Sequence, residues 1–249
     1  MKLVKSTHRR FTQADRASLW PAPVVLCLLV FGLASCCAQN HSEYSEHSEY
    51  SEHSEYSEHS EYSPLYDIVL ATPGSSPTGI TTDWVYQDHY LWIVDSETRM
   101  LYKVDPQTGQ VKDTIPSPCT DPQDVAFGIF EPGKSLGSLW VVGYNTSQMY
   151  RIYLQSKDVQ VLDAPVGNLS GVAFDPSSGD LWVSDRDTGM IHLTGYSGRI
   201  LSSIASPFPN PTGLSWQDGC LWISSQDPNV VAKVDTTDGR VLQWIDLGG

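Results

Sequence analysis

The 249-residue sequence predicts an all-β fold, a β-propeller with four recognisable four-stranded blades. Three observations predict it. A Leu-Trp pair recurs as Leu91-Trp92, Leu139-Trp140, Leu181-Trp182 and Leu221-Trp222, at intervals of 48, 42 and 40 residues, and self-similarity at such a period with several short strands per unit is the mark of propeller blades. Within each unit, short runs of β-branched and aromatic residues are parted by turn chemistry such as Asp105-Pro-Gln-Thr-Gly109 and Asp175-Pro-Ser-Ser-Gly179. The runs are almost continuously apolar rather than alternating, which suits a sheet packed on both faces.

In chain order, the first element is a leader over residues 1–38. Lys2, Lys5, Arg9, Arg10 and Arg16 precede an apolar run from Val24 to Ala34 and the small residues Ser35 to Ala38. A positive flank, a short apolar core and a small-residue exit read as a secretory signal peptide. The run is shorter than the roughly 20 residues a membrane span needs, and an uncleaved anchor would still leave the later residues outside the cytosol. The expected location is therefore secreted or extracytoplasmic. Two cleavage readings compete. Cys36-Cys37-Ala38 before Gln39 fits a small-x-small exit, whereas Leu33-Ala34-Ser35-Cys36 resembles a bacterial lipobox and makes Cys36 a candidate lipidation site, with a membrane tether and a periplasmic or outer-membrane lipoprotein as the result.

Residues 39–64 hold an exact HSEYSE repeat that starts at His41 and ends at Pro64. Rich in glutamate and almost without aliphatic residues, it cannot bury enough apolar surface to offset the entropy of ordering, so a disordered, self-repelling spacer is expected. His41, His47, His53 and His59 are evenly spaced, a pattern that can chelate a soft divalent metal; a solvated stalk is the simpler reading.

The propeller is expected over residues 65–249, with blades at about 65–116, 117–164, 165–206 and 207–249. Pro77-Thr78-Gly79-Ile80, Pro122-Gln123-Asp124-Val125, Leu169-Ser170-Gly171-Val172 and Pro211-Thr212-Gly213-Leu214 open the four units as innermost strands. The Leu-Trp strands follow, then a third strand and an outer one. Asp67–Leu70 reads as an outer strand without companions, and Val241–Asp246 as another, which makes five outer strands for four inner sets. That surplus predicts an open or partial propeller, truncated or completed by self-association through its blade edges; a compact four-bladed ring with an extra edge strand is the alternative.

Charge excludes one class of partner. The net charge is −14, five of the 15 basic residues fall in the leader, and no basic cluster follows it, so nucleic acid is not expected. Beyond the leader only Cys119 and Cys220 remain, free to pair, to stay reduced or to meet another chain. Asn40, Asn145 and Asn168 stand in glycan-acceptor triplets.

The units "PTGITTDWVYQDHYLWIVDSETRMLYKVDPQTGQV" and "PTGLSWQDGCLWISSQDPNVVAKVDTTDGRV" resemble blades of the NHL-repeat, SMP-30/gluconolactonase-like and streptogramin-lyase-like propellers, over about residues 66–249. These blades serve enzymes and binding proteins alike. The resemblance implies a ligand site at the channel mouth, at Thr78, Gln123, Asp124, Asn168, Ser170, Asn210 and Thr212. Asp124 stands where the other units have Gly79, Gly171 and Gly213. For the lactonase-like group the resemblance implies a divalent cation, calcium or magnesium, held by carboxylate and amide oxygens, here Asp124, Asn168 and Asn210. The sequence departs from that group in lacking its full acid-amide-acid set, and from the lyase-like group in the scarcity of glutamate after the spacer, Glu97 and Glu131 alone. No Ser-His-Asp elbow, HExxH, CxxC or phosphate-cradling loop is present.

Asp95 and Asp185 are expected to cap turns, and His192 to be a packed core residue. The function expected is a secreted or surface-tethered binding module that takes a protein, peptide or glycan at its loop face. A metal-dependent lactone hydrolase or lyase is the alternative, and a truncated, inactive propeller the third reading.

Overall fold

The computed structural model describes residues 71–83, 89–129 and 137–248. The leader with Cys36, the spacer, Glu131 and the strand expected at Asp67–Leu70 lie outside the described residues.

The described residues form four antiparallel sheets of four strands each, paired in chain order. Blade one is β1 (Pro77–Thr82), β2 (Leu91–Asp95), β3 (Met100–Val104) and β4 (Val111–Pro116); blade two is β5 (Pro122–Gly128), β6 (Ser138–Gly143), β7 (Gln148–Tyr153) and β8 (Val159–Asp163). Blade three is β9 (Leu169–Phe174), β10 (Leu181–Asp185), β11 (Met190–Thr194) and β12 (Ile200–Ala205); blade four is β13 (Pro211–Gln217), β14 (Cys220–Gln226), β15 (Asn229–Asp235) and β16 (Val241–Asp246). Short β-branched runs make the strands, and Asp-x-x-x-Gly turns stop them. In four of these turns the first aspartate accepts a backbone N–H two residues on, Asp105 from Gln107 at 2.9 Å, Asp175 from Ser177 at 2.8 Å, Asp185 from Asp187 at 3.0 Å and Asp235 from Thr237 at 2.8 Å. The closing glycines 109, 179 and 239 sit at φ of 71°, 82° and 73°, where a side chain would be strained.

Why the strands are apolar throughout is visible in the packing. Along each second strand, side chains point alternately to the preceding and the following blade. Leu139 and Val141 face Trp92 and Val94 of blade one; Trp140 and Val142 face Leu181 and Val183 of blade three; Trp182 faces Leu221 and Ile223 of blade four. Both faces of the middle blades are thus removed from water, worth roughly 1.5–3 kcal/mol for each large apolar side chain so buried. Trp222 and Val231 form a fourth, smaller cluster with Ile245 and Leu247, all from blade four and the residue after it. Among the described residues no hydrophobic cluster or hydrogen bond joins blade four directly to blade one. The sheets therefore follow one another along an arc, with their innermost strands about a common channel.

The outer strands are exposed, and their apolar residues Val111, Val161, Leu201, Leu242 and Trp244 lie on the perimeter. Trp244 still packs edge-on to Phe208, with ring centroids 5.1 Å apart. Cys119 is buried and Cys220 half-buried, and both are free thiols; burial pushes the Cys119 thiol up from its ordinary range.

Candidate functional site

A register irregularity at the second residue of each innermost strand shapes the channel mouth. The pairing with the neighbouring strand skips Thr78, Gln123, Ser170 and Thr212. A bulge of this kind re-aims a side chain out of the alternating pattern. Thr78 uses its freedom to donate to the carbonyl of Pro122 in the next blade at 2.9 Å, and Ser170 likewise donates to that of Pro211 at 2.6 Å. Gln123 instead donates to Asp121 at 2.9 Å. Thr212, in the last blade, turns back onto Ser224 of its own sheet, 3.0 Å between hydroxyls. These side chains, expected as ligand contacts, are employed in tying the mouth together.

Asp124 lies one residue deeper, at the level of Gly79, Gly171 and Gly213. Its Oδ1 accepts the N–H of Val125 at 2.9 Å, and its Oδ2 accepts those of Val172 at 2.9 Å and Leu214 at 3.4 Å. A Cβ at Gly79 would come within 2.5 Å of Oδ1, and one at Gly171 within 3.0 Å of the Leu214 backbone. The carboxyl thus bonds to blades two, three and four and lies against Gly79 of blade one, the glycine that leaves room for it. It is 3% exposed. Burial pushes its pKa up to about 8, against the downward pull of the three N–H donors.

The other candidates are held elsewhere. Asn168 accepts the N–H of Asn145 at 3.2 Å and donates a short hydrogen bond to Asp187, which links the turns of blades two and three. Arg186 stacks over Tyr144 across the same junction, 5.5 Å from the ring centre. Asn210 is exposed in the loop before β13. The structure brings Asp124 together with backbone amides, and no described contact joins it to Asn168 or Asn210. No group of three His, Cys, Asp or Glu side chains among the described residues is placed to hold a metal.

The turn and core readings can be placed too. Asp95 accepts the N–H of Ser76 at 2.6 Å and of Thr98 at 2.7 Å, and Asp185 that of Asp187 at 3.0 Å. His192 is buried beside Ser203, 2.8 Å from Nδ1 to the hydroxyl, and burial lowers its pKa.

Below the Asp124 tier the channel opens into a cavity of about 130 Å³. Three consecutive residues from each innermost strand line it, 80–82, 125–127, 172–174 and 214–216, together with Pro176. Its inner tier is Ile80, Val125, Val172 and Leu214. Further out come Thr81, Ala126, Ala173 and Ser215, and at the end of the strands Thr82, Phe127, Phe174 and Trp216. Sequence reasoning considered the starts of these strands and did not describe a cavity at their ends; the run of small residues Thr81, Ala126, Ala173 and Ser215 at four equivalent positions was the available signal.

Solved structures share this fold. A chain of glutaminyl cyclase from Myxococcus xanthus superposes with a TM-score of 0.54 at 13% identity, over 68% of this chain and 70% of that one. The chain is a four-bladed β-propeller. Virginiamycin B lyase from Staphylococcus aureus is similar at a TM-score of 0.45 and 16% identity, over 70% of the propeller and 71% of the lyase. A chain of a nidogen/laminin complex gives 0.49 and 14%, over 68% and 79%. No protein-family model matches the propeller's sequence, and no curated protein does.

Proposed function

We propose that this propeller is a secreted or surface-tethered binding module whose loop face, around the starts of the innermost strands, takes a protein, peptide or glycan partner. The observation that carries the reading is how the polar groups of that face are spent. Thr78, Ser170 and Thr212 tie strands together and the Asp124 carboxyl sits on backbone amides, so the exposed polar groups of the face are on the turns: Glu97, which accepts from Ser75, Asp187, which accepts from Asn168, and Asn210. Turn-borne groups on a rigid frame suit recognition. The leader and the hydrophilic spacer fit a domain held away from a surface.

The test uses the secreted chain, immobilised and exposed to extracellular extract. A specific partner should be captured and then lost on the double charge reversal Glu97→Lys and Asp187→Lys, while Asp238→Lys on the opposite face retains it. Capture that is indifferent to both sets of changes, or none above background, rejects the reading. The competing metal-dependent lactone hydrolase or lyase, with calcium or magnesium at Asp124, requires that carboxylate to exchange amide donors for a cation. Calorimetric titration with calcium, magnesium and zinc separates the two, since heat that disappears in Asp124→Ala favours the enzyme.

A further inference from the structure

We propose that the cavity at the far end of the channel is a binding site for one small, uncharged ring compound of the phenol or cyclohexanol class. At the glycine tier the Asp124 carboxyl bonds across the channel to the N–H groups of Val172 and Leu214, and the cavity lies beyond it, toward the ends of the innermost strands at Thr82, Phe174 and Trp216. The cavity is also a product of all four blades, with three residues of each innermost strand in its walls.

Size and chemistry choose the ligand. About 130 Å³ is close to the volume of a cavity, roughly 150 Å³, that takes one benzene. No charged side chain is among the described lining residues, so against these walls an ionised ligand would shed its hydration without meeting a counter-charge. Purely apolar ligands forgo part of what the walls offer. The Thr81 hydroxyl oxygen already accepts the N–H of Phe127 at 3.1 Å, which leaves its proton to donate into the cavity, and Ser215 and Thr82 bring two more hydroxyls. Rings fit the aromatic rim of Phe174 and Trp216, where stacked or edge-on contacts add to what burial alone gives. This end of the channel is opposite the face assigned to partner recognition, so either proposal can fail alone.

The probes are p-cresol with its charged counterparts benzoate and benzylamine, titrated into the whole protein at pH 7 by calorimetry. We expect p-cresol to bind at least tenfold more tightly than either charged probe. Ser215→Leu, which fills the cavity and breaks no described hydrogen bond, should weaken p-cresol at least tenfold while the unfolding midpoint holds; Thr82→Leu replaces it if that variant fails to fold. With fluorotryptophan-labelled wild-type protein, p-cresol should shift the resonance assigned to Trp216. Equal affinity for all three probes, affinity untouched by the filling variants, a Trp216 resonance that does not move, or no p-cresol binding up to about 10 mM, meaning a water-filled channel only, overturns the proposal.

Discussion

At Asp124 a proton is bound more tightly in the folded chain than in the unfolded one, and the sign of the consequence is fixed. Burial lifts its pKa from 3.8 to about 8. Below the lower value both states are protonated and the group's contribution to stability is complete; between the two the folded chain keeps a proton that the unfolded chain has released, so stability falls as pH rises toward 8. The loss is at most about 1.4 kcal/mol per pH unit. Urea unfolding of wild type and Asp124→Asn from pH 5 to pH 8 should show the wild type losing ground to the variant throughout, and parallel curves would reject the assignment. The sequence marked Asp124 through its three glycine counterparts, yet read it as a ligand to an external group. What it could not display is the bulge just before it and the blades' common axis, which deliver three amides to its oxygens. For Asn168 the same blindness applies, because its partner Asp187 lies in a different turn of the same blade.

On the strands, a cross-strand pair recurs that had a plain signature in the sequence and was overlooked there. Eleven residues after each blade tryptophan, the partner position in the third strand holds Lys103, Arg151, Leu193 and Lys233. The cations lie over the indoles at 5.9 Å for Lys103 on Trp92, 5.3 Å for Arg151 on Trp140 and 5.6 Å for Lys233 on Trp222. Arg151 is the strongest of the three, since it is buried, donates to Ser138 at 3.0 Å and also stacks on Tyr153 at 4.5 Å. Replacing Arg151 by Met should cost about 2 kcal/mol or more, the range for a desolvated pair, and Lys233→Met no more than about 1 kcal/mol. Denaturant midpoints at constant slope measure both; equal losses would show that packing of the aliphatic stem, not the cation, carries the effect. Strand identity and turn positions were readable because short β-branched and aromatic runs and Asp-x-x-x-Gly spacing are local. The bulges were not, since they depend on which residue of the next blade offers a carbonyl.

Across the whole molecule, the three interfaces between successive blades and the terminal face of blade four are unequal. Trp140 is enclosed by both its own blade and the next, whereas the Trp222 cluster draws only on blade four and Leu247. Trp140→Ala should therefore cost about 3–5 kcal/mol, the usual toll for an aromatic deleted from a full core, and Trp222→Ala roughly half of that. Differential scanning calorimetry compares them, and a Trp222→Ala loss as large as that of Trp140→Ala would mean that blade four is packed as completely as the middle blades. Blade number and order were legible from the spacing of four Leu-Trp pairs alone. The closing of the channel at its waist was not, because it depends on the curvature of the arc, which no repeat period encodes.

The indole of Trp182 differs from its three counterparts in a way that reaches an optical observable. It faces Leu193 in place of a cation, and its buried Nε1 has no hydrogen-bond acceptor among the described residues, whereas that of Trp222 donates to Gln217 at 2.9 Å. An indole enclosed among apolar side chains relaxes little after excitation, so its emission is expected at the blue edge of the protein's fluorescence. Light from blade three can thereby be separated by colour from that of the other blades, which gives this repeat a built-in beacon for following when one module, rather than the assembly, comes apart.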